Sequence, residues 1–230
     1  QQNVAVVNLD GATNSSLVIT PKGTGAFILG QKPDGSTTGG SARGNYGVDL
    51  QIARTSATQV ASGISAFTAG YMNTASVTYS AAIGHNNLAR GMSGGAWCVG
   101  AGNTTGAGSI GSTLLGIGNV SGNAYYPTAL GGNNTVNTSN SLALGFRATI
   151  NHQGCVVVGA NDDTAVSSDR TKQFKVRADG GITHQTDGGT YTDYGKRASA
   201  PGSPVAGDRF YDTTTNELRV YDGTSWQDCW

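Results

Sequence analysis

Seven short apolar runs, each closing on a glycine, recur through the middle of this chain: FTAG at Gly70, AAIG at Gly84, WCVG at Gly100, TLLG at Gly116, TALG at Gly131, LALG at Gly145 and VVVG at Gly159. The intervals between these glycines are 14, 16, 16, 15, 14 and 14 residues. Self-similarity at so short a period marks a solenoid, because one repeat cannot bury its own apolar face and must stack on its neighbours. Such a period divides into two short strands and two reversals per coil. Alternation inside the runs fits strands, with Leu142 and Leu144 on one face, and Ala81 and Ile83 likewise. The apolar residues beside the repeat glycines are expected to line the roll interior or an axis shared between subunits. Asn73, Asn87, Asn103, Asn119, Asn133 and Asn161 follow those glycines closely. Asparagine and glycine take positive φ most readily, so a corner is expected there, with stacked amides bonding along the ladder.

Composition supports an all-β chain. Of 230 residues 36 are glycine and only 12% are charged, and Glu217 is the only glutamate. No stretch carries sustained helical periodicity. The 14 basic and 14 acidic residues are scattered singly, which leaves no electrostatic footprint for nucleic acid. No apolar run approaches the roughly 20 residues of a membrane-spanning helix, so membrane insertion is not expected. Cys98, Cys155 and Cys229 stand at unrelated spacings, two of them in apolar runs, and read as buried free thiols.

Four segments follow from the pattern. Residues 1–58 are β-rich with a polar loop around Pro33, Asp34 and Gly35, and read as an introducing and capping segment. Residues 59–163 hold the repeats, residues 164–199 a β exit segment, and residues 200–230 a hairpin module built on RFYD, a TTTN turn, ELRVYD and a turn at Asp222-Gly223. Within the repeats, NVSGNAYYPT departs from its neighbours, and a bulge bearing Tyr125 and Tyr126 is expected to project there. In the hairpin module Tyr211, Tyr221 and Trp226 are expected to form a small core.

Two resemblances are specific. The coils SAAIGHNNLARG, TALGGNNTVN and SNSLALGFRAT resemble the 14-residue repeats of the YadA-like head domain of trimeric autotransporter adhesins, over about 100 residues. The segment LVITPKGTGAFILGQKPDGSTTGGSARGNYGVDLQIARTSATQVASG, the exit QFKVRADGGI and the module GDRFYDTTTNELRVYDGTSW are similar to parts of tail-fibre and head-fibre proteins of tailed phages and some large viruses. The resemblance implies left-handed parallel β-rolls assembled side by side as a homotrimer. It implies a non-enzymatic structural or adhesive fibre or spike on the virion surface, facing outward. The partners would be a host cell-surface glycan or protein and, through the N-terminal end, other virion proteins. A polysaccharide-degrading tailspike and the head of a bacterial surface adhesin are the alternatives. A roll with so thin an interior agrees, since a lone copy would leave apolar side chains in water.

Searches for chemistry return little. His85, His152 and His184 fall at different places in the pattern, and Asp162 and Asp163 are adjacent in a turn, where neighbouring side chains point apart. No catalytic, cofactor-binding or metal-ligating residue is nominated, and no cofactor is expected. Aromatic side chains outside the regular coils are the candidate receptor contacts: Tyr125, Tyr126, Tyr191, Tyr194 and Trp230.

Overall fold

The computed structural model describes residues 19, 21–51, 53–159, 165–178, 182–186 and 189–229, with stretches 182–186 and 189–194 described by backbone alone. Among the described residues there is no helix, and the chain winds as a parallel β-solenoid. Two compact units divide it, Gln1–Leu115 and Gly116–Trp230.

In the first unit one wall is the parallel ladder of β1 (Phe27–Ile28), β2 (Val48–Leu50), β3 (Phe67–Tyr71), β5 (Ala81–His85) and β7 (Trp97–Ala101), and the opposite wall carries β4 (Thr74–Ala75) and β6 (Leu88–Ala89). Strand β8 (Thr113–Ile117) holds the division between the units. In the second unit β10 (Thr128–Gly132), β12 (Leu142–Phe146), β14 (Val156–Gly159) and β16 (Phe174–Arg177) make the same broad wall. There β9 (Val120–Ser121), β11 (Thr135–Val136), β13 (Ala148–Ile150) and β15 (Val166–Ser167) make the narrow one.

Every broad strand except β1 and β16 turns its second residue inward. Thr68, Ala82, Cys98 and Leu114 in the first unit, and Ala129, Ala143 and Val157 in the second, are completely buried. Ala75 and Ala89, and Val136, Ala148 and Ile150, meet them from the narrow walls. The prevalence of alanine is geometric: in so flat a coil the two walls stand too close for large side chains at every rung.

The residues flanking that inward position point outward, which corrects half of the sequence expectation: Leu142, Leu144, Ile83 and Val99 do not line the roll interior. In-register stacking places Phe67, Ala81 and Trp97 in one outer column and Ala69, Ile83 and Val99 in another. The second unit repeats this with Thr128, Leu142, Val156 and Phe174, and with Leu130, Leu144, Val158 and Val176.

The asparagines hold the coils in register, one position away from where a corner was expected. Positive φ falls on the preceding residue, at Met72 (59°), Asn86 (53°) and Asn133 (53°). The following Asn73, Asn87, Asn103, Asn119 and Asn134 turn inward and are at most 1% exposed. Asn87 shows the pattern: its Nδ2 donates to Ile83 O (2.9 Å) and to Gly100 O in the next coil (2.8 Å), and its Oδ1 accepts the Asn103 N–H (3.1 Å). In the second unit Asn134 Nδ2 donates to Leu130 O and Gly145 O, and its Oδ1 accepts the Ala148 N–H. Asn133, expected on the ladder, is exposed at the corner, and Asn161 lies outside the described residues. The repeat glycine belongs to the same device. Gly131 sits at φ 112°, and a Cβ there would run into the carbonyl oxygen of Gly145 in the next coil. Only glycine lets the coils stack with these carbonyls offered to an asparagine amide.

Gln51 ends the ladder in the first unit. Its Oε1 accepts the Asn73 N–H (2.9 Å) while its Nε2 donates to Asn73 O (2.8 Å) and Gln59 O (2.7 Å).

In the second unit β17 (Ile182–Thr186), β18 (Gly189–Arg197), β19 (Arg209–Asp212), β20 (Glu217–Tyr221) and β21 (Trp226–Asp228) form a five-stranded sheet in that order. β18 and β19 run parallel and the other pairs antiparallel, including the RFYD and ELRVY hairpin read from the sequence. Its core differs from expectation. Phe210 is completely buried, with Trp226 edge-on at 4.8 Å and Tyr221 tilted against Trp226 at 5.3 Å. Tyr211 points to the other face, where the Lys196 ammonium lies 5.8 Å from its ring.

Candidate functional site

Tyr125 and Tyr126 are both exposed, as a contact residue must be, and the register places one extra residue just before them, 122–124 standing where the next coil has 137–138. Tyr126 has φ 54° and stands two residues before its broad strand, the corner place that Asn140 (54°) and Lys172 (54°) hold in neighbouring coils. Asn140 N–H donates to Tyr125 O (2.8 Å), and Tyr125 N–H donates to Ser139 Oγ (3.0 Å), so the tyrosines are tied into the regular stack. In the first unit Tyr46 (57°) and Tyr79 (60°) occupy the same kind of corner and are equally exposed, a likeness the irregular sequence spacing hid. Tyr191 and Tyr194 fall within β18, and their side chains lie outside the described residues, as does Trp230.

His85 and His152 make contacts within the coils. His85 stacks flat on Tyr71, ring centroids 5.5 Å apart, and His152 Nδ1 lies 3.0 Å from Ser168 Oγ. The side chain of His184, and Asp162 and Asp163 entirely, lie outside the described residues. Among the described residues no three His, Cys, Asp or Glu side chains converge as metal ligands would. Cys98 and Cys155 are buried free thiols as expected, and burial pushes the Cys98 thiol up to about 12. Cys229, just past β21, is instead exposed.

A feature that the sequence reading passed over lies in the first unit. Arg43, Asp49 and Arg54, three charged residues within a charge-poor chain, are drawn together out of solvent, with side chains at most 1% exposed. Asp49 Oδ2 accepts from Arg43 Nε at 2.7 Å and lies 3.5 Å from Arg54 Nη2, and Asp49 Oδ1 accepts the Thr68 hydroxyl at 2.8 Å. Arg43 Nη1 donates to Gly39 O and Ser41 O, and Arg54 donates to the carbonyls of Thr38, Gln51 and Gln59. Two guanidiniums thus share one carboxylate, and Arg43 Nη2 is buried without a hydrogen-bond partner. Burial, then the neighbouring charge of Arg43, hold the Arg54 pKa below its ordinary value, with Asp49 opposing both.

Beside this cluster opens a cleft of about 520 Å³. Hydroxyls of Ser41, Ser56, Thr58, Ser62, Thr74 and Ser76 line it. Met72 and Leu88 supply apolar surface, and among the described residues Arg90 is its only charged lining residue. Arg90 is anchored by one nitrogen, its Nε donating to Thr105 O at 3.0 Å. The sequence carries no distinct signal for this site, since the charges of residues 162–179 stand closer together than Arg43, Asp49 and Arg54 do.

The fold defines the class of protein, a parallel β-solenoid of glycine-closed coils. No family model, curated protein or solved structure matches the chain.

Proposed function

We propose that this chain is a non-enzymatic structural and adhesive subunit of a phage or viral fibre or spike, assembled as a side-by-side homotrimer of left-handed rolls on the virion surface. The observation that carries the reading is the pair of outward apolar columns on the broad wall of each unit. In the first unit Trp97 is 56% exposed and Leu115 38%, with Ile83 beside them, and in the second Phe174 is 72% exposed, with Leu130, Leu142 and Leu144 on its columns. Contiguous apolar surface of this kind marks an association face, and each such side chain buried against another copy contributes roughly 1–2 kcal/mol. Three copies around one axis would cover the columns, leaving the corners with Tyr125 and Tyr126 available to a host glycan or protein. The resemblance of the flanking segments to phage and viral fibres supports the virion setting, with other virion proteins met through the N-terminal end.

Sedimentation equilibrium at micromolar concentration tests the assembly. A species three times the 23.3 kDa chain mass is expected. Leu144→Lys, an outward substitution that leaves the interior untouched, should dissociate it while circular dichroism stays that of β-sheet. A wild-type monomer would overturn the reading. Antibody labelling of the parent particles in electron microscopy then tests the virion setting.

A further inference from the structure

We propose that the hydroxyl-lined cleft of the first unit is a binding site for an acidic saccharide, a sugar chain bearing a carboxylate that Arg90 receives. None of the residues lining it is a corner tyrosine or a member of the outward apolar columns.

Three observations select this ligand. The first is charge. The buried cluster beneath the cleft holds two arginines against one aspartate, and its hydrogen bonds run to the backbone of cleft residues, Arg43 to Ser41 O and Arg54 to Gln59 O. Arg90 adds a further positive charge, and among the described residues no carboxylate lines the cleft. In a chain of zero formal net charge this is a local positive excess, which favours an anion. The second is the geometry of Arg90. With Nε fixed on Thr105 O, the guanidinium is oriented, while Nη1 and Nη2 have no protein partner among the described residues. A fork held in this way suits bidentate capture of a carboxylate. The third is the lining. Ser56, Thr58, Gln59, Thr74 and Ser76 bring hydroxyl and amide groups, and Met72 and Leu88 bring apolar surface, the two kinds of group that the hydroxyl edges and C–H face of a sugar ring require. The volume falls in the range of about 300–1,000 Å³ typical of ligand clefts.

Isothermal titration of the intact chain with tetragalacturonate, tetrasialate and the methyl ester of tetragalacturonate tests this. At least one acidic oligosaccharide should bind with Kd of about 1 mM or tighter, and the uncharged ester at least about tenfold more weakly. Arg90→Ala should weaken the acidic ligand about tenfold or more, and Arg90→Lys should keep part of the affinity because it retains charge without the fork. Thr74→Tyr, which fills the cleft from an outward position, should abolish binding with the β-sheet spectrum unchanged. No saturable binding by either acid, equal binding of the ester, or an Arg90→Ala variant that binds as wild type does would each overturn the proposal. Sedimentation of the same samples keeps the outcome separate from the assembly question.

Discussion

The glycine-closed coils and the C-terminal sheet are both built of short strands and tight turns, yet they are stabilised in different ways. In the coils no large side chain dominates. Register comes from a polar ladder in which Asn73 and Asn87, and in the second unit Asn119 and Asn134, satisfy carbonyls that the repeat glycines turn inward. In the C-terminal sheet one aromatic knot of Phe210, Tyr221 and Trp226 supplies the core, and Asp222 organises the turn by accepting from Thr224 N, Thr224 Oγ1 and Ser225 N. The contrast teaches that a coil too thin for a hydrophobic core can be held by buried amides, provided every donor and acceptor is paired. Damage to the first kind of structure should spread to adjoining coils, and damage to the second should stay local.

The largest effect is expected from Gly131→Ala, which forces positive φ on a residue with a Cβ and drives that Cβ into Gly145 O. A loss of about 4 kcal/mol or more, read by chemical denaturation, combines the conformational cost with overpacking. Phe210→Ala should cost about 3–4 kcal/mol by emptying the aromatic knot. Hydrogen exchange should then quicken in residues 205–229 while the amides of the coils stay protected; loss of protection in the coils would break the contrast.

A matched pair sharpens the ladder. Asn134→Ala leaves Leu130 O, Gly145 O and the Ala148 N–H without their side-chain partners and should cost about 3 kcal/mol, whereas Asn133→Ala, one residue away at an exposed corner, should cost about 1 kcal/mol. Equal costs would remove the asparagine ladder from the account.

The smallest effects are chemical. The four hydrogen bonds to Asp222, led by that from the Ser225 N–H, hold its carboxyl well below the ordinary aspartate range. A depressed folded-state pKa contributes stability that is present above the unfolded value and is lost as pH falls through the folded one. The turn at Asp222 should therefore loosen only as pH drops below about 4, and Asp222→Asn should remove that dependence, checked by Trp226 fluorescence. Toward a thiol reagent at pH 8, Cys229 should react rapidly, and Cys98 and Cys155 only on unfolding.

Sequence periodicity made the coils legible because the glycine and its apolar neighbours recur in every rung. Strands β1, β2 and β16 join the broad walls without that mark, and pairing alone identifies them. The ladder was half legible. Asparagine near the glycine was visible, but in Asn133-Asn134 the string does not say which residue turns the corner and which goes inside. Tyr126 was half legible for a related reason: the 15-residue interval does carry one extra residue, between Ser121 and Tyr125, but only the corner torsions show that Tyr126 itself holds the regular place of Asn140. The cleft was illegible, because its lining comes from coils separated in sequence and its positive character from arginines buried beneath it.

What the sequence by itself determined is repetition: strand, glycine and polar corner at a period too short for a coil to stand alone. Which face of each strand goes inside was decided only in three dimensions. Alternation is symmetric between the two faces, and the narrow gap between walls takes alanine at most rungs and a larger residue such as Leu114 or Ile150 at a few, while Ile83, Trp97, Leu142 and Leu144 turn outward.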